Sequence, residues 1–175
     1  REPAMSHATC FSPLGPLTVT AADGAIVALS WGEAGCGLLD PLVQTAVEEL
    51  EAYFKGSLRH FSLPLKPAGT AFQRRVWAAM TAIPCGETRS YGALAGELGS
   101  GPRAVARACA ANPIPIVIPC HRVIGADGSL TGYSGGSGID TKAWLLRHEG
   151  AAVTTKPRLT RPLRGDAHAA RDCSL

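Results

Sequence analysis

The strongest constraint on the fold is a change of rhythm near residue 40. Between residues 9 and 31 apolar side chains come in short β-rich runs split by turn residues. Asp23-Gly24, between the runs 16–21 and 25–31, is the dipeptide of a tight hairpin. From residue 40 the period becomes helical. Asp40-Pro41 offers an N-cap and a first-turn proline. Val43, Val47, Leu50 and Phe54 then recur on one face with Glu48, Glu49 and Glu51 opposite, and Gly56 ends the helix. Such a chain is α/β of the α+β type. At 175 residues it buries one core, or two small lobes packed together.

Residues 64–69 form a proline-bearing connector, and Thr70-x-x-Gln73 is a capping box that opens a helix with the stripe Phe72, Val76, Trp77, Met80. Ile83-Pro84-Cys85-Gly86 closes it. Ser90 caps a short helix carrying Leu94 and Leu98, Gly99-Ser100-Gly101 turns, and Pro102 starts a second helix to about Ala111. Two short helices around a glycine turn are a helix-turn-helix candidate. The second is almost all small residues apart from Arg103 and Arg107, four apart and so on one face. That suits close approach to a phosphate backbone, although taken alone the pattern fits a tightly packed Ala-rich core helix better. The expected organisation is a supporting sheet-and-helix domain over 1–69, with 1–7 a disordered leader. A mainly helical domain follows over 70–150, and a disordered basic tail over 151–175.

The chemistry centres on Pro119-Cys120-His121-Arg122-Val123, placed after the apolar run 114–118, which reads as a buried strand. A thiol has an ordinary pKa of ~8.5, and a nearby imidazole can pull it into the reactive range. In an extended segment Cys120 and His121 point apart, so a water between them is easier than a direct bond. The charge around this segment is basic. Residues 1–71 hold four basic and seven acidic side chains, residues 72–150 eight and five. Between 73 and 122 every cation is an arginine: 74, 75, 89, 103, 107 and 122. The six cysteines show no Cys-x-x-Cys pair and no metal-ligand spacing, so neither a metal nor a disulfide framework is expected. Cys10, Cys36 and Cys109 read as inert, and Cys173 lies in the tail. No run is long enough to span a membrane, which makes a cytoplasmic protein the expectation, nucleoid-associated in a bacterium. Gly125-Ala126-Asp127-Gly128 reads as a hairpin turn, 131–138 as a glycine-rich loop, and Asp140 or Thr141 as the cap of a last helix.

Several separated motifs now stand in order: Phe72-Gln73 with Val76-Trp77, Ile83-Pro84 with Gly86-Glu87-Thr88, Ser90-Tyr91, Asn112-Pro113, Ile118-Pro119-Cys120-His121-Arg122-Val123, Gly132-Tyr133-Ser134-Gly135-Gly136, and Trp144-Leu145-Leu146 with Glu149-Gly150. Together they resemble the O6-alkylguanine-DNA alkyltransferase family, closely over about 70–150 and more loosely over 12–17. The resemblance implies a protein that binds duplex DNA through the minor groove, flips out an alkylated guanine, and takes the alkyl group onto Cys120 once, without a cofactor. O4 of thymine is implied as a further target. His121, through a water, and Glu149 form the relay. Tyr91 contacts phosphate and base. Ser90, Arg103, Ala104 and Arg107 meet the DNA, with Arg103 filling the space left by the base. Asn112 braces the link between recognition helix and active segment, and Pro115 lines the alkyl pocket. Cys120 and Val123 offer carbonyls to the base, while Tyr133 and Ser134 lie over it. The implied protein is a monomer, with cooperative assembly on DNA open. The turn at Ser100-Gly101 is shorter and Gly135 to Thr141 longer than in the family's usual pattern, and an N-terminal zinc set is not evident.

Three other readings stand beside this one. A lesion-binding sensor would lack the acceptor cysteine. A cysteine hydrolase would turn over many times. A plain helix-turn-helix regulator would be indifferent to Cys120.

Overall fold

The computed structural model describes residues 4–35, 37–38 and 40–153. Cys36, Cys173 and most of the basic tail lie outside the described residues.

Three antiparallel strands in the order β1 (Ser6–Ser12), β2 (Gly15–Ala22), β3 (Ala25–Trp31) make the N-terminal sheet. Asp23 and Gly24 both have positive φ, 50° and 74°, between the paired Ala22 and Ala25, as a two-residue hairpin of matching twist requires. Two expectations change here. Ser6 and His7, assigned to a leader, belong to β1, with Ser6 buried. The first helix, α1 (Pro41–Phe54), buries Val43, Ala46, Leu50 and Tyr53. Its inner face is thus rotated from the expected stripe, and Val47 and Phe54 are only partly buried. Tyr53 can go inside because its hydroxyl finds a partner there. Asp40 caps the helix, its Oδ1 accepting from Leu42 N at 2.8 Å.

Beyond the connector, α2 (Ala71–Thr81) has the full capping box, and Trp77 Nε1 donates to Ala108 O at 2.8 Å. This ties α2 to the second helix of the pair α3 (Tyr91–Leu98) and α4 (Pro102–Ala110). Gly99 at φ 63° ends α3, a left-handed cap that glycine adopts without a Cβ penalty. Val105, Ala108 and Cys109 face inward, leaving Arg103 and Arg107 exposed on the outer side of α4. The core runs without a break from Leu17 and Leu50 through Trp77 and Met80 to Ile114, Ile118 and Leu145.

The run 114–118 is not a strand. Pro113 and Pro115 cannot donate to a ladder, and Ile116 turns at φ 72°. Ile118 N closes the turn on Ile114 O at 2.9 Å. Residues 125–128 do turn, with Gly128 N on Gly125 O at 2.9 Å, but no hairpin forms. Instead β5 (Val123–Ile124) pairs in parallel with β4 (Arg89–Ser90). The last helix, α5 (Ile139–His148), starts after Gly138 with no side-chain cap, because Thr141 Oγ1 accepts from Ser137 N instead. Ala151, assigned to the tail, is buried and donates to Leu146 O at 2.9 Å. Among the described residues no helix is long and apolar enough to cross a membrane.

Candidate active site

The turn 112–118 exists because Asn112 holds it from both ends. Its Oδ1 accepts from Ile114 N at 3.0 Å and its Nδ2 donates to Ile118 O at 2.8 Å. The chain then enters a single 3₁₀ turn, Cys120–Arg122, rather than the extended backbone expected for this pair. Cys120 lines a cleft of about 430 Å³, within the usual range for small-molecule sites. Asn112, Pro115, Tyr133 and Ser134 also line it. So does β3, through Leu29, Ser30 and Trp31. The N-terminal sheet, read from sequence as support only, is therefore part of the wall. Leu29 N donates to Pro113 O at 2.9 Å, fixing that wall to the active segment.

Behind the cleft is a closed ionic cluster. Glu149 is 3% exposed and its Oε1 accepts from Tyr53 Oη at 2.8 Å, His121 Nε2 at 2.7 Å and Arg122 Nη2 at 2.9 Å. Arg122 Nε reaches Oε2 at 2.9 Å, completing a two-point grip, and Nη1 donates to Ile83 O at 2.6 Å. Burial alone would raise the Glu149 carboxyl, but the bonds from His121 and Arg122 outweigh it and hold it well below the ordinary range. Burial pushes the fully enclosed His121 down, against the pull of Glu149. A neutral imidazole facing a carboxylate carries its proton on Nε2. Its lone pair is then on Nδ1, which is buried and has no protein partner.

Burial also sets the state of the nucleophile. It pushes the Cys120 thiol up, while Asn112 and the Lys142 charge pull the other way. The sequence pointed to a thiol held in the reactive range; the resting group is a thiol that must be deprotonated on demand.

Lys142 has no counterpart in the sequence reading. It is fully buried on α5, and its Nζ donates to Val123 O at 2.5 Å and Thr131 O at 2.9 Å, with Tyr91 Oη at 3.4 Å. Burial lowers it to about 8, with the cysteines 120 and 109 opposing. No pattern signals it, since a lysine in a short helix reads as solvent-facing. Trp31 was missed as well. Its ring meets Tyr133 edge-on at 6.3 Å, and a Cβ at Gly135 would fall 2.6 Å from it.

Val123 and Tyr91, both implied as base contacts, are absent from the cleft lining. Val123 is buried with its carbonyl on Lys142, and Cys120 O accepts from Val123 N. Tyr91 donates to Thr131 O at 2.9 Å, and burial lifts its phenol to about 12. Ser90 caps α3, its Oγ accepting from Ala93 N at 3.0 Å. Arg103, Ala104 and Arg107 lie on α4, the two arginines exposed and Ala104 half-buried. Among the described residues no group of His, Cys, Asp and Glu side chains is arranged to hold a metal ion.

The sequence comparisons match two stretches of the chain. Residues 5–67 match the family model for the 6-O-methylguanine DNA methyltransferase ribonuclease-like domain, and residues 71–151 match the model for its DNA-binding domain. The chain belongs to the 6-O-methylguanine DNA methyltransferase family. A methylated-DNA–protein-cysteine methyltransferase of Methanosarcina acetivorans is 42% identical over 84% of this chain and 99% of its own. One from Mycolicibacterium paratuberculosis is 44% identical over 86% and 98%. The solved structure of Mycobacterium tuberculosis OGT in complex with DNA superposes with a TM-score of 0.72 at 48% identity, covering 82% of this chain and 92% of its own. DNA is accordingly a partner of this member of the family, and helices α3 and α4 lie in its DNA-binding domain.

Proposed function

We propose that the protein repairs DNA by direct reversal, moving the alkyl group from O6 of guanine in duplex DNA onto Cys120, once per molecule. O4 of thymine is a second target of the same chemistry. The observation that carries this reading is Cys120 on the cleft wall, next in sequence to an imidazole whose free Nδ1 lone pair is set by Glu149.

The reaction follows from these positions. Exposed Arg103 and Arg107 neutralise phosphate, and the small residues of α4, Ala104 among them, allow close approach. Arg103 fills the gap as the lesion swings into the cleft. Asn112 keeps the active segment registered to α4. Tyr133 and Ser134 cover the base, Pro115 and Trp31 border the alkyl group, and Tyr91 exchanges its bond to Thr131 O for one to the base. Cys120 Sγ attacks the alkyl carbon in line, so an S–C bond forms as the C–O6 bond breaks. The thiol proton passes through a water to His121 Nδ1 and on to the departing guanine, which leaves neutral. Glu149 and Lys142 stabilise the charges that appear on the way. The thioether product has no route back, and the protein acts as a monomer that is consumed.

Intact-mass measurement after incubation with a duplex carrying one O6-methylguanine tests this. One methyl group replaces one hydrogen, on the peptide containing Cys120, and Cys120→Ser binds the duplex without gaining mass. Binding of unmodified wild-type protein at saturating lesion means a sensor. Repeated turnover of an ester means a hydrolase.

A further inference from the structure

We infer that Tyr53, on the N-terminal helix α1, is a positioning residue for alkyl transfer, tuning the His121–Glu149 relay through its bond to Glu149 Oε1. The inference rests on the reading of Cys120 as acceptor and His121 as its base, and adds a group from the other domain to the reaction.

Three donors converge on Oε1. Two come from the 3₁₀ turn beside Cys120, and the third is the Tyr53 hydroxyl, ninety-six positions away in sequence at 2.8 Å. Nothing in the packing of α1 requires a hydroxyl there. The ring already contacts Phe54 at 5.2 Å and Phe61 at 5.4 Å, so phenylalanine would fill the same space. The hydroxyl is aimed by its backbone, because His148 Nε2 donates to Tyr53 O at 2.7 Å and its ring lies 5.2 Å from that of Tyr53. Burial first, then the Glu149 charge, pushes the phenol far above its ordinary range, so it stays a donor at every working pH.

A donor on Oε1 competes with His121 Nε2 for the same oxygen. It draws negative charge away from the imidazole and keeps His121 neutral, hence able to accept a proton. The other charged or titratable groups facing this set are Arg122 on both carboxylate oxygens, Lys142 near His121, and Cys85 with Arg59 behind Arg122 and Tyr53. Arg122 and Lys142 also disfavour imidazolium. Tyr53 differs from them in adding no charge, so its loss moves the balance without leaving an unpaired ion.

The sign follows. Without the hydroxyl, Oε1 is a better acceptor for His121, imidazolium gains, and the acid limb of Cys120 reactivity moves to higher pH. A hydrogen bond to a charged group is worth enough to shift that limb by about one unit, a roughly tenfold loss of rate at a fixed pH on the limb. The experiment follows modification of Cys120 by iodoacetamide against pH, read by peptide mass, in wild type, Tyr53→Phe and protein carrying 3,5-difluorotyrosine at position 53. Tyr53→Phe is expected to move the limb up with its plateau within about threefold, and the stronger fluorinated donor to move it down. Methyl transfer from lesion duplex should follow the same displacement. A limb that stays in place, in a variant that folds, overturns the inference and leaves Tyr53 a packing residue. If Tyr53→Phe does not fold, a fluorinated protein whose limb fails to move downward overturns it. The iodoacetamide limb is measured without DNA, so failure of wild-type protein to take a methyl group from lesion duplex would instead overturn the repair reading.

Discussion

Glu149→Gln is the substitution whose cost the structure fixes most tightly. The amide has the same shape but no charge, and one of its two polar atoms becomes a donor. Placed at Oε2, that donor faces Arg122 Nε; placed at Oε1, it faces Tyr53, His121 and Arg122 Nη2. Either rotamer sets donor against donor and leaves the Arg122 guanidinium, 6% exposed, without a counter-charge. Breaking a buried pair in this way costs about 3–5 kcal/mol. The exposed Arg89–Glu97 pair, 2.7 Å apart, sits where such contacts are worth about 1 kcal/mol or less. With a urea m-value of about 2 kcal/mol/M, the midpoint of Glu149→Gln should fall by about 2 M. At about 2–4 °C per kcal/mol for a chain of this size, Tm should drop by roughly 10 °C. The pH dependence has a definite sign. Glu149 is held below its unfolded value, so its stabilisation is complete above about pH 5 and is lost as acid protonates it toward the folded value. The gap between wild type and variant should therefore be flat from about pH 7 to 5 and narrow below about pH 4. A deficit under about 1 kcal/mol at neutral pH, or one that does not narrow in acid, would refute the view of this cluster as a buried, charged unit.

Other outcomes are specific to other parts of the site. Arg103→Ala should slow transfer from duplex far more than from a single strand, since only duplex must be opened; equal losses would remove Arg103 from that role. Arg107→Ala should reduce the salt dependence of duplex binding by about one phosphate, a slope change of roughly 0.9 on a log–log plot, and an unaltered slope would take it off the contact surface. Lys142→Met removes the buried cation that lowers Cys120, so thiol modification should shift to higher pH, and an unmoved profile would show that Lys142 only ties loops together. Trp31→Ala should raise the ratio of O6-benzyl to O6-methyl transfer by about tenfold, the scale of small volume changes in an apolar pocket; a constant ratio would exclude it from the alkyl side.

The hairpin, the capping box and the helix pair were readable because each depends on neighbours within four residues: Asp23-Gly24, Thr70 with Gln73, Gly99 with Pro102. The reactive pair was readable as residue types but not as geometry. The run 114–118 is apolar enough for a strand, and only the two prolines and the grip of Asn112 turn it back on itself. The face of α1 was misjudged because Tyr53 goes inside for a carboxylate far along the chain. Lys142 escaped for the same reason, since its acceptors are two carbonyls supplied by other elements. What local pattern could not supply was the set of long-range polar contacts around the cysteine.

The two matched segments meet near residue 70, an obvious place to cut if a smaller reagent were wanted. Leu29 is stitched across that junction by a backbone bond to Pro113 O, and the first segment also provides Trp31 and Tyr53. A half-length version would keep the sulfur, imidazole and carboxylate yet bare one side of its own pocket to water. Miniaturisation should thus cost reactivity before it costs DNA affinity, and the two halves ought to be engineered as one piece.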